Sequence, residues 1–161
     1  MLVMDGSLEA LFDRVARERT GEAVERIADS AADHMLDAAK RITPEESGRA
    51  RESWTRTPTH RTRYAGEPAA EGGIESSYYV TRFLERGTEP HRIEPEDEEA
   101  ITPGPGAEPR ASAEHPGIRA MRITARAAEE TEFAIDEIAQ PHLERWAEEI
   151  ERRAASIHEV R

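Results

Sequence analysis

Six histidines, at positions 34, 60, 91, 115, 142 and 158, are the first residues here that could do chemistry, because imidazole binds metals and moves protons near neutral pH. A zinc-type centre needs ligands sharing one face, as in His-x-x-x-His or His-Glu-x-x-His on a helix, and no two of these histidines are so spaced. They read as surface or capping residues. Carboxylates are plentiful, in runs such as Glu96-Asp97-Glu98-Glu99 and Glu148-Glu149. Acid–base catalysis requires two carboxylates in contrasting environments within a cleft, whereas charge runs read as solvated faces. Ser47, Ser53 and Ser112 lack the Gly-x-Ser-x-Gly setting of an activated nucleophile. With no cysteine, thiolate ligands, thiol nucleophiles and disulfides are excluded together. The expectation is a chain with no catalytic residue, no metal and no cofactor.

Arginine is the remaining chemically active residue type. Residues 41 to 63 hold six arginines (41, 49, 51, 56, 61 and 63) against three glutamates, a net of +3 in a chain of net −12. Trp54 and Tyr64 interleave with them, so the segment suits nucleic acid, with arginine on phosphate and aromatics stacked on bases. It equally suits an acidic protein surface. Residues 64 to 100 carry ten acids and three arginines, a net of −7. The strongly acidic total opposes a free DNA-binding domain, which leaves pairing between copies of the chain as the preferred reading. Arg49, Arg51, Arg56, Arg61 and Arg63 are then the expected intersubunit contacts.

The frame that must position these residues is one domain of 161 residues. Apolar residues are 37% and aromatics 5%, which implies a thin, aliphatic core; 35% charged residues and a mean hydropathy of −0.78 imply large solvated surfaces with extended arms or loops. Lys40 is the one lysine beside 21 arginines, and 27 of the 34 acids are glutamate. A surface rich in glutamate and poor in lysine suits very high salt, since carboxylates hold water and long lysine stems expose apolar surface. A GC-rich genome would also exchange lysine for arginine, without producing the acidity. No run of about 18 apolar residues occurs, and Met1 to Gly6 lack the basic and apolar segments of a signal peptide, so neither a membrane span nor that export route is expected.

Helical periodicity opens with Leu8, Leu11, Phe12 and Val15 behind a Ser7 cap. It weakens at Gly21, then resumes through Val24, Ile27, Ala28, Ala31, Met35, Ala38 and Ile42, ending at Thr43-Pro44. The spacing predicts one long helix or two collinear ones over 7–42. Threonines and turn formers over 44–73 predict short strands or a hairpin arm. A helix over 77–86 follows, with Tyr79 and Phe83 inward, Val80 and Leu84 as further candidates for that face, and Gly87 as its left-handed cap. The 88–117 stretch, with prolines 90, 95, 103, 105, 109 and 116, reads as a polar two-stranded flap around Pro103-Gly104-Pro105-Gly106. Helix returns over 118–139. Pro141 is expected to break or kink it and to begin a C-terminal helical extension, 141–161, outside the 1–140 domain.

Four segments in order resemble the siphovirus tail-component family that includes head–tail neck and tail-completion proteins. Thr43-Pro44-Glu45-Glu46-Ser47-Gly48-Arg49-Ala50-Arg51-Glu52-Ser53 is similar to its Pro-x-x-(Ser/Thr)-Gly segment, with Pro44, Gly48 and Ser53 at matching positions and Ala50 where a larger aliphatic is common. Tyr78-Tyr79-Val80-Thr81-Arg82-Phe83-Leu84-Glu85-Arg86-Gly87-Thr88 resembles its Tyr-Ala-x-x-(aliphatic)-Glu-x-Gly-Thr signature. His91, Ile93 and Pro95 resemble its His-x-Ile-x-Pro stretch, and His115, Pro116 and Gly117 its His-Pro-Gly stretch. Read physically, these are fold-making residues: Gly87 ends a helix, Thr88 and Glu85 bond the turn, and Pro116-Gly117 starts the last helical region. The resemblance implies an α+β fold with helices on a small antiparallel sheet. It implies a structural virion protein, a non-enzymatic subunit of a sixfold ring joining head connector to tail tube, with other neck and tail proteins as partners and channel DNA within reach. Alternatives are a tail terminator of the same tail, or a cytoplasmic nucleic-acid-binding or regulatory protein of a halophile.

Overall fold

The structure, a computed structural model, describes the backbone of residues 6–45, 48–94 and 112–159, and side chains from residue 19 onward within those ranges except 154 and 156–159. It is α+β. The apolar stripe expected over 7–42 forms one unbroken helix, α1 (Gly6–Ile42), with Lys40 and Arg41 at its C-terminal end, where positive charge complements the helix dipole. Gly21 does not interrupt it. That glycine is buried, and a Cβ there would stand 4.0 Å from Pro68 of the hairpin that lies against the helix.

After a single helical turn, α2 (Arg49–Glu52), the threonine-rich segment forms the hairpin β1 (Trp54–Tyr64) and β2 (Glu67–Ser76). Its turn is the pair Ala65-Gly66, both at positive φ (51° and 90°), the mirror-image turn whose twist matches that of paired strands. The antiparallel register shifts between Thr57 and His60, so that Pro58 and Thr59 together face Gly72. A bulge tolerates a proline, which has no N–H to offer the ladder. Opposite it Gly72 is sterically required: a Cβ there would be 2.9 Å from Thr59 Oγ1 and would touch Ala28 and Ala32 of α1.

Beyond the hairpin come α3 (Tyr79–Arg86), the short strands β3 (His91–Ile93) and β4 (Ala113–His115), α4 (Ile123–Phe133) and α5 (Ile135–Glu159). The hairpin covers one face of α1. The helices α4 and α5 cover another, tied by Arg41–Glu130 (2.8 Å), His34 Nδ1–Thr131 Oγ1 (3.1 Å), Ser30 Oγ–His142 Nε2 (2.9 Å) and Arg19–Glu149 (3.3 Å). Between them lies a core of Ala38, Ala39, Trp54, Ile123 and Ala127, bordered by Met35, Leu36, Ile42, Ile74, Leu84 and Met121. It is thin, as composition implied, but its centre is a tryptophan rather than an aliphatic. The buried indole donates from Nε1 to Thr43 Oγ1 (2.9 Å), and that hydroxyl donates to Ala39 O (2.7 Å), so no polar atom of the pair lacks a partner.

Three expectations are corrected. Tyr79 and Phe83 face outward, with Tyr79 70% exposed; the inward residue of α3 is Thr81, with Leu84 packed beside the core. The last helical region starts at Ile123 rather than 118, because residues 118 to 122 pair with the end of α3. The break expected at Pro141 lies at Ala134, and α5 runs through Pro141 without a boundary. Pro141 and Glu137 are both exposed, so the carbonyl that the proline leaves without a helical donor meets water. From Pro141 to Glu159 the expected extension is thus continuous with the helix that packs on α1. The Pro103–Gly106 turn and Ser47 lie outside the described residues.

Candidate functional site

Gly87, φ 73° and ψ 175°, ends α3 in backbone space that only glycine occupies readily, and its N–H closes on Phe83 O (2.7 Å). The chain can then leave sideways so that Thr88 meets Ile118: Thr88 N–H donates to Ile118 O (2.8 Å), and Ile118 N–H reaches Thr88 O and Oγ1, both at 3.0 Å. Gly117, at φ 82°, sits so close that a Cβ would lie 2.4 Å from Thr88 O. The two glycines brace one another across this bridge. Met121 N–H donates to Leu84 O (2.8 Å), and the Glu85 carboxylate accepts from Thr124 N–H (2.7 Å). Arg122, the N-cap of α4, is in the left-handed region and makes no side-chain cap, so Glu85 supplies the cap from another helix. The sequence reading placed that carboxylate on the turn beside it; it reaches α4 instead.

From this node the flap leaves. His91 pairs with His115 in the antiparallel register of β3 and β4, and their rings stack with centroids 4.9 Å apart. His115 Nδ1 accepts from Gly117 N–H (3.0 Å), and His91 Nδ1 donates to Glu89 O (2.9 Å). Ile93, at the far end of the flap's described strands, is exposed, as is Pro116. Pro95 lies outside the described residues. Thus Glu85, Gly87, Thr88, His91, His115 and Gly117, distant in sequence, meet in one place, with Pro116 and Ile93 on the flap that it anchors. Tyr79 stands apart on the outer face of α3.

The first motif lies elsewhere, at the end of α1. Gly48, φ 72°, turns the chain into α2, and the Arg51 guanidinium bonds Thr43 O (3.1 Å) and Glu45 (2.9 Å), folding the loop after Pro44 back on the helix end. Ser53 Oγ donates to Ala50 O (2.8 Å) and meets Ser76 Oγ (2.7 Å), which in turn contacts Thr81 Oγ1 (2.9 Å). These hydroxyls clasp the base of the hairpin to α3. Ala50 is buried there, where a larger residue would not fit without displacement.

Arg51, Arg56, Arg61 and Arg63 have partners within their own chain. Arg56 bridges Asp29 and Asp33 (2.9 Å to the latter), and Arg61 binds Glu25 (2.6 Å), so three acids one turn apart on α1 receive two arginines from β1. Arg63 reaches Gly66 O (3.3 Å) and Arg49 is exposed. The Thr59 hydroxyl, at 2.6 Å, and then Arg56 hold the Asp29 carboxyl below its ordinary range against the opposing effect of partial burial. Arg41 lowers Glu130 similarly, chiefly through its hydrogen bond. Within the chain Arg56 and Arg61 meet acids of α1 and Arg51 meets Glu45, none of them from residues 64 to 100. Trp54 is in the core, unable to stack on a base, whereas Tyr64 is exposed at the hairpin tip.

A groove of about 450 Å³ runs between α1, β2 and the α4–α5 junction, lined by Val24, Ala28, Met35, Ala70, Thr131 and Ile135. Its walls hold one carboxylate, Glu71. Among the described residues no group of three or more His, Asp or Glu is placed to hold a metal ion, and no helix is long and apolar enough to cross a membrane. On the outer face of α3 Tyr79, Arg82, Phe83 and Arg86 stand together at i, i+3, i+4, i+7 spacing and are all exposed, although aromatics at i and i+4 read in sequence as a core-facing pair. The class that fold and site define is a helix-centred α+β protein with a long hairpin and an anchored flap. Comparison with known proteins finds no matching family model, no matching curated protein and no matching solved structure.

Proposed function

We propose that this chain is a structural subunit of a tailed-virus neck or tail-completion assembly, which works by joining copies of itself into a sixfold ring between head connector and tail tube. One observation carries the reading: the residues of the resemblance that precede and follow the flap converge on a single node whose construction fixes how the flap leaves the body. A two-stranded ribbon of three residue pairs is marginal by itself. Its described strands bury no large apolar residue, so a ribbon anchored this firmly is suited to resting on another molecule. The acidic, lysine-poor surface adds a working environment of high salt, in which the charge of −12 per subunit is screened and copies can approach.

Sedimentation of the purified chain across roughly 0.15 to 3 M salt, with electron microscopy of the heaviest species, tests the proposal. Rings are expected in the upper part of that range. A chain that stays monomeric at every salt and protein concentration overturns the ring reading.

A further inference from the structure

The outer face of α3 presents Tyr79, Arg82, Phe83 and Arg86, all exposed, while the intervening Glu85 is turned inward onto Thr124. The face therefore carries two aromatics and two positive charges, and neither arginine has an ion pair among the described residues. Aromatic residues and arginine in one patch are the composition that dominates protein interfaces energetically. A second anomaly lies at the other end of α4. Phe133, its last residue, is 91% exposed beside the exposed Ile135, and around them Glu129, Glu132, Asp136 and Glu137 are exposed without ion pairs among the described residues.

We infer that these are the two halves of one contact: the α3 face of one copy, aromatic and positive, docks on the Phe133–Ile135 knuckle of the next, apolar and rimmed by acids. The complementarity supplies the argument. An acidic chain of net −12 repels itself generally, so a local positive patch is where a second copy of it can be met. The patches are distinct surfaces: Glu85 of α3 caps the N-terminus of α4, and Phe133 lies at its C-terminus, about 15 Å along the axis at 1.5 Å per residue. A contact between unlike patches is head-to-tail, and repeating it produces a closed ring or an open filament rather than a two-fold dimer. The inference rests on the self-assembly proposed above and names the surfaces that carry it.

Paired charge reversals test it. Arg82→Glu with Arg86→Glu makes the α3 face negative, and Glu129→Arg, Glu132→Arg, Asp136→Arg and Glu137→Arg together make the knuckle positive. Each variant alone then opposes like charges across the contact, and association at the lowest salt at which the wild-type chain assembles should weaken by about a hundredfold. Mixed, the two variants complement each other at every contact, and the assembly should return with the copies alternating. Unchanged assembly of either variant, or a mixture no better than its components, overturns the inference. Because the chain has no cysteine, Phe83→Cys mixed with Phe133→Cys gives a reading that does not require rings. The mixed disulfide should exceed both like-with-like products by about tenfold through the effective concentration at the contact. A statistical distribution of products overturns the inference even if wild-type rings form. Preferential cross-linking without rings upholds the contact while the sixfold ring fails.

Discussion

Replacing Gly87 with alanine should unfasten the flap node and cost far more than a glycine-to-alanine change elsewhere. At φ 73° and ψ 175° an alanine carries backbone strain of about 1–3 kcal/mol. Its Cβ would lie 2.5 Å from Ile118 O and 2.7 Å from Ala120 N, backbone atoms that cannot rotate aside. The segment 118–120 must move, and the paired bonds between Thr88 and Ile118 part with it, each contributing about 1 kcal/mol. The expected loss is about 3–5 kcal/mol, a fall in Tm of roughly 10 °C for a chain of this size. Gly66→Ala is the control: its φ is 90°, but nothing lies within 4 Å of the added Cβ, so only the conformational cost of about 1–2 kcal/mol applies. Urea unfolding of both variants gives the difference, and hydrogen exchange at the Thr88 and Ile118 amides localises it. If Gly87→Ala loses no more than Gly66→Ala, the close approach at the node is not what holds the flap.

Glu85→Ala should cost about 1 kcal/mol in urea unfolding by uncapping α4, and Glu85→Gln, which keeps an acceptor, should recover part of it. Thr43→Val leaves the Trp54 N–H buried without an acceptor and should cost about 1–3 kcal/mol; the loss should shrink when Trp54→Phe is made in the same chain. Asp29 has a folded-state pKa below its unfolded one, so its contribution is fully present above the unfolded value of about 3.9 and disappears as pH falls through the lowered folded value. Urea midpoints measured down the acid range should therefore fall less steeply in Asp29→Asn, and an unchanged slope would contradict the Thr59 and Arg56 bonds.

Periodicity made α1 legible because its half-buried Val24, Ile27, Met35 and Ile42 recur at helical spacing, and the hairpin was legible because threonines and turn formers replaced that spacing. The flap's pairing was anticipated, while the tip of its turn lies outside the described residues. The errors share a cause. Local pattern says which residues are apolar but not which face the rest of the chain leaves uncovered, so Tyr79 and Phe83 were assigned inward when small Thr81 takes the buried place. Within the chain Arg56 and Arg61 of β1 meet acids far back on α1, a pairing that local pattern does not reveal. Pro141 looked like a boundary because sequence does not reveal that its carbonyl partner faces water. At the node, Glu85, Gly87 and Gly117 were visible as individual turn residues. Their convergence was not, since it depends on a bridge between residues 88 and 118.

The position of Ile123 bears on how the chain acquires this structure during synthesis. The residue that fills the space beside Ala38, Ala39 and Trp54 belongs to α4, so when α1 and the hairpin have already left the ribosome their common core still lacks its plug. At about 5–20 residues per second, several seconds pass before Ile123 and Ala127 emerge. Through that interval the nascent half-protein leaves one apolar flank of α1 uncovered, beside a hairpin that packs on the helix through Trp54, Ile74 and Gly72.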